Sequence, residues 1–173
     1  MRTLAVFDID GVLVDSKSAV YKAYAECLHI SESKFEELIW GRPWNEAASL
    51  LGLTEAQALE VHDKKNHVFP KYGNLIQVDA SAVCLLEGFI NSPRFDILLA
   101  TGGSLEATLI KKRFLPPRAN RLRVLTKLNK RNRGFWVGLL QEYPDRELLV
   151  VEDDAVTVRL VREMGGTAIL WTR

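Results

Sequence analysis

The sequence predicts an α/β fold, with a Rossmann-like parallel sheet of about five strands, helices on both faces and a helical insertion. Three observations predict it. Five short apolar, β-rich segments alternate with sequence of helical character. Several of them end in acids or a hydroxyl followed by glycines, as the carboxyl edge of an open sheet does when it carries a site. A stretch of about seventy residues after the first segment is almost entirely helical, too long for one crossover.

The strands are expected at Thr3–Phe7, Phe95–Thr101, Leu122–Leu125, Glu147–Glu152 and Thr167–Trp171. Helices are expected at Ser104–Phe114, at Phe135–Glu142 ended by Pro144, and at Val156–Met164 stopped by Gly165-Gly166. In the insertion, Val20, Tyr24 and Leu28 share a helix face. Ser33 with Glu36, and Thr54 with Gln57, read as capping boxes. Pro43 and Gly52 bracket a further short helix. The core is expected to span 1–15 and 85–173, and the insertion 16–84.

Composition narrows the class. At 173 residues, 47% hydrophobic and 26% charged, the chain suits one globular domain with a modest insertion. A net charge of +1 gives no general case for a nucleic-acid or membrane partner, and no apolar run approaches a membrane span. Cys27 and Cys84 read as buried thiols in a reducing compartment, not a disulfide framework. With a strand starting near Thr3 there is no room for a signal peptide, and a cytoplasmic location is expected. Charge is uneven, however. Residues 107–141 hold no acid and ten cations: Lys111, Lys112, Arg113, Arg118, Arg121, Arg123, Lys127, Lys130, Arg131 and Arg133.

The chemistry concentrates at strand ends. Asp8-Ile9-Asp10-Gly11 closes the first strand, and alternation lets Asp8 and Asp10 point the same way. Two acids there repel unless a cation or a shared proton relieves them, which suggests a hard metal such as Mg²⁺. Thr101-Gly102-Gly103-Ser104 closes the second strand. Its hydroxyl, its glycine N–H groups and a helix start suit a phosphoryl group. Glu152-Asp153-Asp154 closes the fourth strand, and Asp154 is placed to tune the site or to cap the next helix.

These stretches, in this order, resemble the motifs of the haloacid dehalogenase (HAD) superfamily in its phosphatase and phosphomutase branch, over nearly the whole chain. The resemblance implies Asp8 as nucleophile and Asp10 as general acid–base. It further implies Thr101 and a lysine on the phosphoryl oxygens, and Mg²⁺ held by Asp8, the Asp10 carbonyl and Asp153. Two lysines compete. Lys130 stands five residues before Phe135, as in the commoner pattern, and is preferred; Lys127 has the more usual distance to the last motif. The chain departs from the family at Gly102, where Asn is frequent, and at Arg131, where Pro is usual. Glu152 matches a variant that has Glu where others have Gly. The insertion's position resembles the family's C1-type helical cap.

The resemblance implies a Mg²⁺-dependent phosphomonoesterase acting on a small phosphorylated metabolite. The same residues serve a phosphomutase. Within the insertion, Arg42 between Trp40 and Trp44 is a candidate substrate contact, against the alternative of aromatic core and a surface arginine. The basic segment 111–133 allows a nucleotide or nucleic-acid-end phosphatase, although a solvated face is favoured over it. A non-catalytic HAD-like binding protein is the alternative from another class, and the intact Asp8, Asp10 and Asp153 argue against it.

Overall fold

The computed structural model describes residues 2–172. In chain order the strands are β1 (Arg2–Asp8), β2 (Val14–Asp15), β3 (Gln77–Val78), β4 (Phe95–Ala100), β5 (Arg123–Leu125), β6 (Arg146–Glu152) and β7 (Thr167–Leu170). The helices are α1 (Lys17–Leu28), α2 (Glu32–Leu38), α3 (Trp44–Leu50), α4 (Glu55–Val68), α5 (Ala80–Ile90), α6 (Leu105–Lys112), α7 (Arg133–Glu142) and α8 (Ala155–Glu163).

Five parallel strands form one sheet in the order β5-β4-β1-β6-β7. All five predicted strands are present, because strands buried on both faces are near-continuous apolar runs that stand out in sequence. After β1 the chain builds outward through β4 and β5, then returns to β1's other side with β6 and β7. The order therefore reverses at β1, the position where such sheets open a crevice at their carboxyl ends. The register pairs Asp8 with Ala100 and Phe7 with Val151, so the ends of β4 and β6 flank that of β1.

Successive β1 side chains serve opposite faces. Leu4 and Val6 join Leu98, Leu148 and Val150 in a core with Trp136 and Leu139 of α7 and Val158 and Val161 of α8. On the other face Phe7 meets Phe89 of α5 edge to face, and Phe89 meets Phe95.

The chain divides into two compact units, residues 1–15 with 78–173, and residues 16–77. The insertion thus ends seven residues before the expected 84, because α5 goes with the core. That helix turns Ala82 and Leu86 inward and leaves Cys84 exposed, contrary to the expected buried thiol. Cys27 is partly buried, and both thiols are free.

The inserted unit is helical. Thr54 and Gln57 form the expected capping box. The other box does not form: Ser31, not Ser33, caps α2 by accepting from the Lys34 N–H, and Glu36 instead pairs with Lys17. That start lets Phe35 of α2 bury fully with Tyr24, Ile39 and Ala47. Trp44 stacks on Tyr24 at 5.2 Å, and its indole N–H donates to the Ala58 carbonyl at 3.0 Å. Among the described residues no helix is long and apolar enough to cross a membrane.

Candidate active site

Asp8 is the last residue of β1 and is 4% exposed. Its Oδ1 accepts from the Ile9 N–H at 2.8 Å and lies 2.7 Å from Lys130 Nζ. Burial pushes the Asp8 carboxyl well above the usual carboxylate range. Lys130 opposes this shift, and Glu152 and Asp10 add to it.

Lys130 reaches the site from the loop before α7. Its ammonium bridges Asp8 and Glu152 Oε2, the latter at 2.6 Å. Burial disfavours its charge, but the two carboxylates outweigh that and hold it firmly protonated. The loop is laced to the end of β4. The Lys127 N–H donates to the Gly103 carbonyl at 2.9 Å and the Leu128 N–H to the Thr101 carbonyl at 3.3 Å. The Trp136 indole N–H donates to the Lys130 carbonyl at 2.7 Å, anchoring the lysine's backbone to the core. Lys127 itself is exposed, with φ +58°.

Glu152 is 1% exposed and ends β6. Its Oε1 accepts from the N–H groups of Asp153 and Asp154, and burial raises its pKa. Asp153 is the most open of the three acids. Loss of surrounding water, then the Asp8 charge, still push its pKa up. A Cβ on Gly11 would fall 1.8 Å from Asp153 Oδ2, and Gly11 has φ +82°. Only glycine lets the turn after Asp8 pass beneath that carboxylate.

Ligand oxygens of Asp8, Glu152 and Asp153 lie within 4.8 Å of one another. Three raised carboxyl pKa values around a single ammonium describe a site short of positive charge, made of hard oxygen donors. The residues present fit a divalent cation such as Mg²⁺.

Asp10 follows Asp8 by two residues and bridges to Val14. Its Oδ2 accepts from the Thr101 hydroxyl at 3.0 Å, and its Oδ1 lies 2.6 Å from Lys111 Nζ. Thr101 Oγ1 in turn accepts the Gly103 N–H at 2.9 Å. Thr101, Gly102 and Gly103 form the turn into α6, which Ser104 caps by accepting from the Ala107 N–H. Asp154 caps α8 and takes a forked ion pair from Arg131, whose guanidinium helps push its carboxyl down to about 2. Arg42 belongs to the inserted unit, where its guanidinium donates to the Glu37 carbonyl at the end of α2.

Sequence reasoning missed Lys111 as a site residue and read it as one cation of a basic run. A signal existed: Ser104, Thr108 and Lys111 recur at helical spacing, and all three are buried. Six of the ten cations make internal contacts. Besides Lys111, Lys130 and Arg131, these are Lys112 on the Leu122 carbonyl, Arg118 on Asn91 and Arg123 on Glu142.

No family model matches the chain, and no curated protein matches it by sequence. Solved structures do match by fold. A hydrolase from Pseudomonas syringae is 21% identical, with a TM-score of 0.76 over 96% of this chain and 83% of that one. CbbY from Rhodobacter sphaeroides, solved with phosphate, is 16% identical, with a TM-score of 0.77 over 97% and 85%. A family IA HAD hydrolase from Entamoeba histolytica is 13% identical, with a TM-score of 0.74 over 97% and 82%. The chain shares the fold of these solved structures over nearly its whole length.

Proposed function

We propose that this chain is a Mg²⁺-dependent phosphomonoester hydrolase that acts on a small phosphorylated metabolite through an aspartyl-phosphate on Asp8. One observation carries the reading: at the carboxyl edge of β1, Asp8 is bound to Lys130 beside Glu152 and Asp153, with Asp10 two residues on. Asp8, Asp153 and the Asp10 backbone carbonyl would hold Mg²⁺, which when bound neutralises charge on the phosphoryl oxygens.

With Oδ1 fixed by Ile9 and Lys130, the nucleophile is Asp8 Oδ2. Its bond to phosphorus forms as the ester P–O bond breaks, and the Asp10 carboxyl gives its proton to the leaving oxygen. Water then attacks phosphorus, returns a proton to Asp10 and releases phosphate and the Asp8 carboxylate. Lys130 and the Thr101 turn face the charge that grows on the phosphoryl oxygens. The inserted unit, residues 16–77, acts as a cap that sets substrate choice, with Arg42 as a candidate contact. The internal contacts of the basic segment favour a small substrate over a nucleic-acid end. A phosphomutase would use the same residues and is distinguished by a product that keeps its phosphate.

The test is phosphate release from p-nitrophenyl phosphate and a metabolite panel, with Mg²⁺ or EDTA, for wild type and Asp8→Asn. Turnover that needs Mg²⁺ and is lost in the variant is expected. Equal turnover by Asp8→Asn, or none by the folded wild type, would overturn the reading.

A further inference from the structure

We infer that Lys111 is a positioning residue for catalysis: together with Thr101 it fixes the orientation of the Asp10 carboxyl group. The inference rests on Asp10 being the acid–base group. Four observations support it. The Lys111 side chain is 4% exposed, and a lysine is rarely so buried without a specific charged partner. Its ammonium lies 2.6 Å from Asp10 Oδ1. Thr101 holds the other oxygen, so donors from α6 and from the end of β4 fix the carboxylate plane through separate atoms. The Gly103 N–H occupies the Thr101 oxygen from behind, and the Thr101 hydroxyl donates to Asp10.

The backbone is shaped around this cluster. A Cβ on Gly103 would stand 3.3 Å from Thr101 Oγ1, 3.7 Å from Lys111 Nζ and 3.9 Å from Asp10 Oδ2. Thr108, one turn before Lys111, donates its hydroxyl to the Ser104 carbonyl at 2.7 Å and so does not compete for Asp10. Asp10 follows the end of β1, where its backbone bridges to Val14. Lys111 and Thr101 hold its carboxylate.

The consequence is chemical. Proton donation matters most for a poor leaving group and least for p-nitrophenolate. A lysine that works through Asp10 therefore changes kcat/KM according to the leaving group, because kcat/KM covers steps up to ester cleavage. A lysine that gripped the phosphoryl group directly, or merely held the fold, would lower all substrates alike. Misplacing a catalytic group by about 1 Å costs on the order of 10²-fold.

The test compares kcat/KM on p-nitrophenyl phosphate and on phenyl phosphate, whose leaving phenol has a pKa of about 10, like Tyr. Wild type, Lys111→Met, Lys111→Arg, Asp10→Asn and the Asp10→Asn/Lys111→Met double variant are measured, with thermal unfolding as the folding control. Lys111→Met should lose at least about 10-fold more on phenyl phosphate than on p-nitrophenyl phosphate, a lower bound set by a misplaced acid. Lys111→Arg should recover part of that loss. In the Asp10→Asn background Lys111→Met should cost nothing further. Equal losses on both substrates, or an additional loss in the double variant, would overturn the inference. Should Lys111→Met not fold, Lys111→Arg decides: it keeps the charge, and its altered head must still lower phenyl phosphate selectively. If Asp10→Asn itself shows no leaving-group dependence, the acid–base reading fails. If Asp10→Asn shows it and neither Lys111 variant does, only the role of Lys111 fails.

Discussion

Replacing Lys130 with Met tests the electrostatics of the site most directly. The ammonium bridges two nearly inaccessible carboxylates, Asp8 at 2.7 Å and Glu152 at 2.6 Å, with those side chains 5% and 1% exposed. Methionine fills the stem's volume and removes the charge. Breaking a buried pair by removing one partner costs about 3–5 kcal/mol, a large share of the roughly 5–15 kcal/mol that holds a domain folded. At about 2–4 °C per kcal/mol for a chain of this size, the melting temperature should fall by roughly 6–20 °C. The pH dependence has a definite sign. Asp8 and Glu152 already have raised pKa values, so the folded state binds protons more tightly than the unfolded chain. Their contribution to stability declines as pH rises from the ordinary carboxylate value through the raised one. Lys130 lowers both pKa values, so its loss raises them further and extends that decline upward. The deficit of Lys130→Met should therefore be small near pH 5 and full at pH 8, measured by denaturant unfolding at both. A change under about 1 kcal/mol at pH 8, the level of an exposed ion pair, would refute the buried-bridge account. So would equal deficits at the two pH values.

Three further outcomes are expected. Gly11→Ala forces a Cβ into the Asp153 carboxylate and a side chain onto φ +82°; it should destabilise by about 1–3 kcal/mol and abolish the Mg²⁺-induced rise in melting temperature that wild type should show. Trp136→Phe leaves the Lys130 carbonyl without its indole donor; a loss of about 1–3 kcal/mol is expected by denaturant unfolding, with a lower kcat on p-nitrophenyl phosphate as Lys130 loosens. Asp154→Asn keeps a helix cap but loses the charge facing Arg131; because the carboxyl is depressed to about 2, the wild-type advantage should be full above about pH 4 and fade as pH falls toward 2, read from acid-unfolding curves.

Local sequence was enough for the strands and for singling out the acids that gather at their carboxyl ends. Parallel strands covered on both faces are apolar runs, and five of them were visible as such. Acids at or just past a strand's end stand out against those runs, so Asp8, Asp10, Glu152 and Asp153 could be singled out. Lys130 was preferred over Lys127 on spacing, and the structure places Lys130 against Asp8 with Lys127 exposed. The Thr54 cap was equally legible, since all its atoms lie within four residues.

Other features depended on which face of an element met the rest of the chain. Ser31 and Ser33 are both able caps, and the choice follows from burying Phe35, a tertiary contact. The helix Ala80–Ile90 reads like the insertion before it, but its Phe89 packs on Phe7, so it belongs with the sheet and Cys84 faces out. Lys111 and Asp10 are about a hundred residues apart, and Lys130 and Asp8 more. No local preference joins them. Sequence alone determined which residues stand at strand ends. The strand order β4-β1-β6 decided which of those ends meet, and helix α6, turning one lysine inward from a basic run, decided which cation lies against Asp10. Charge and hydropathy are local properties, whereas pairing across a parallel sheet is set by how the whole chain closes around its core.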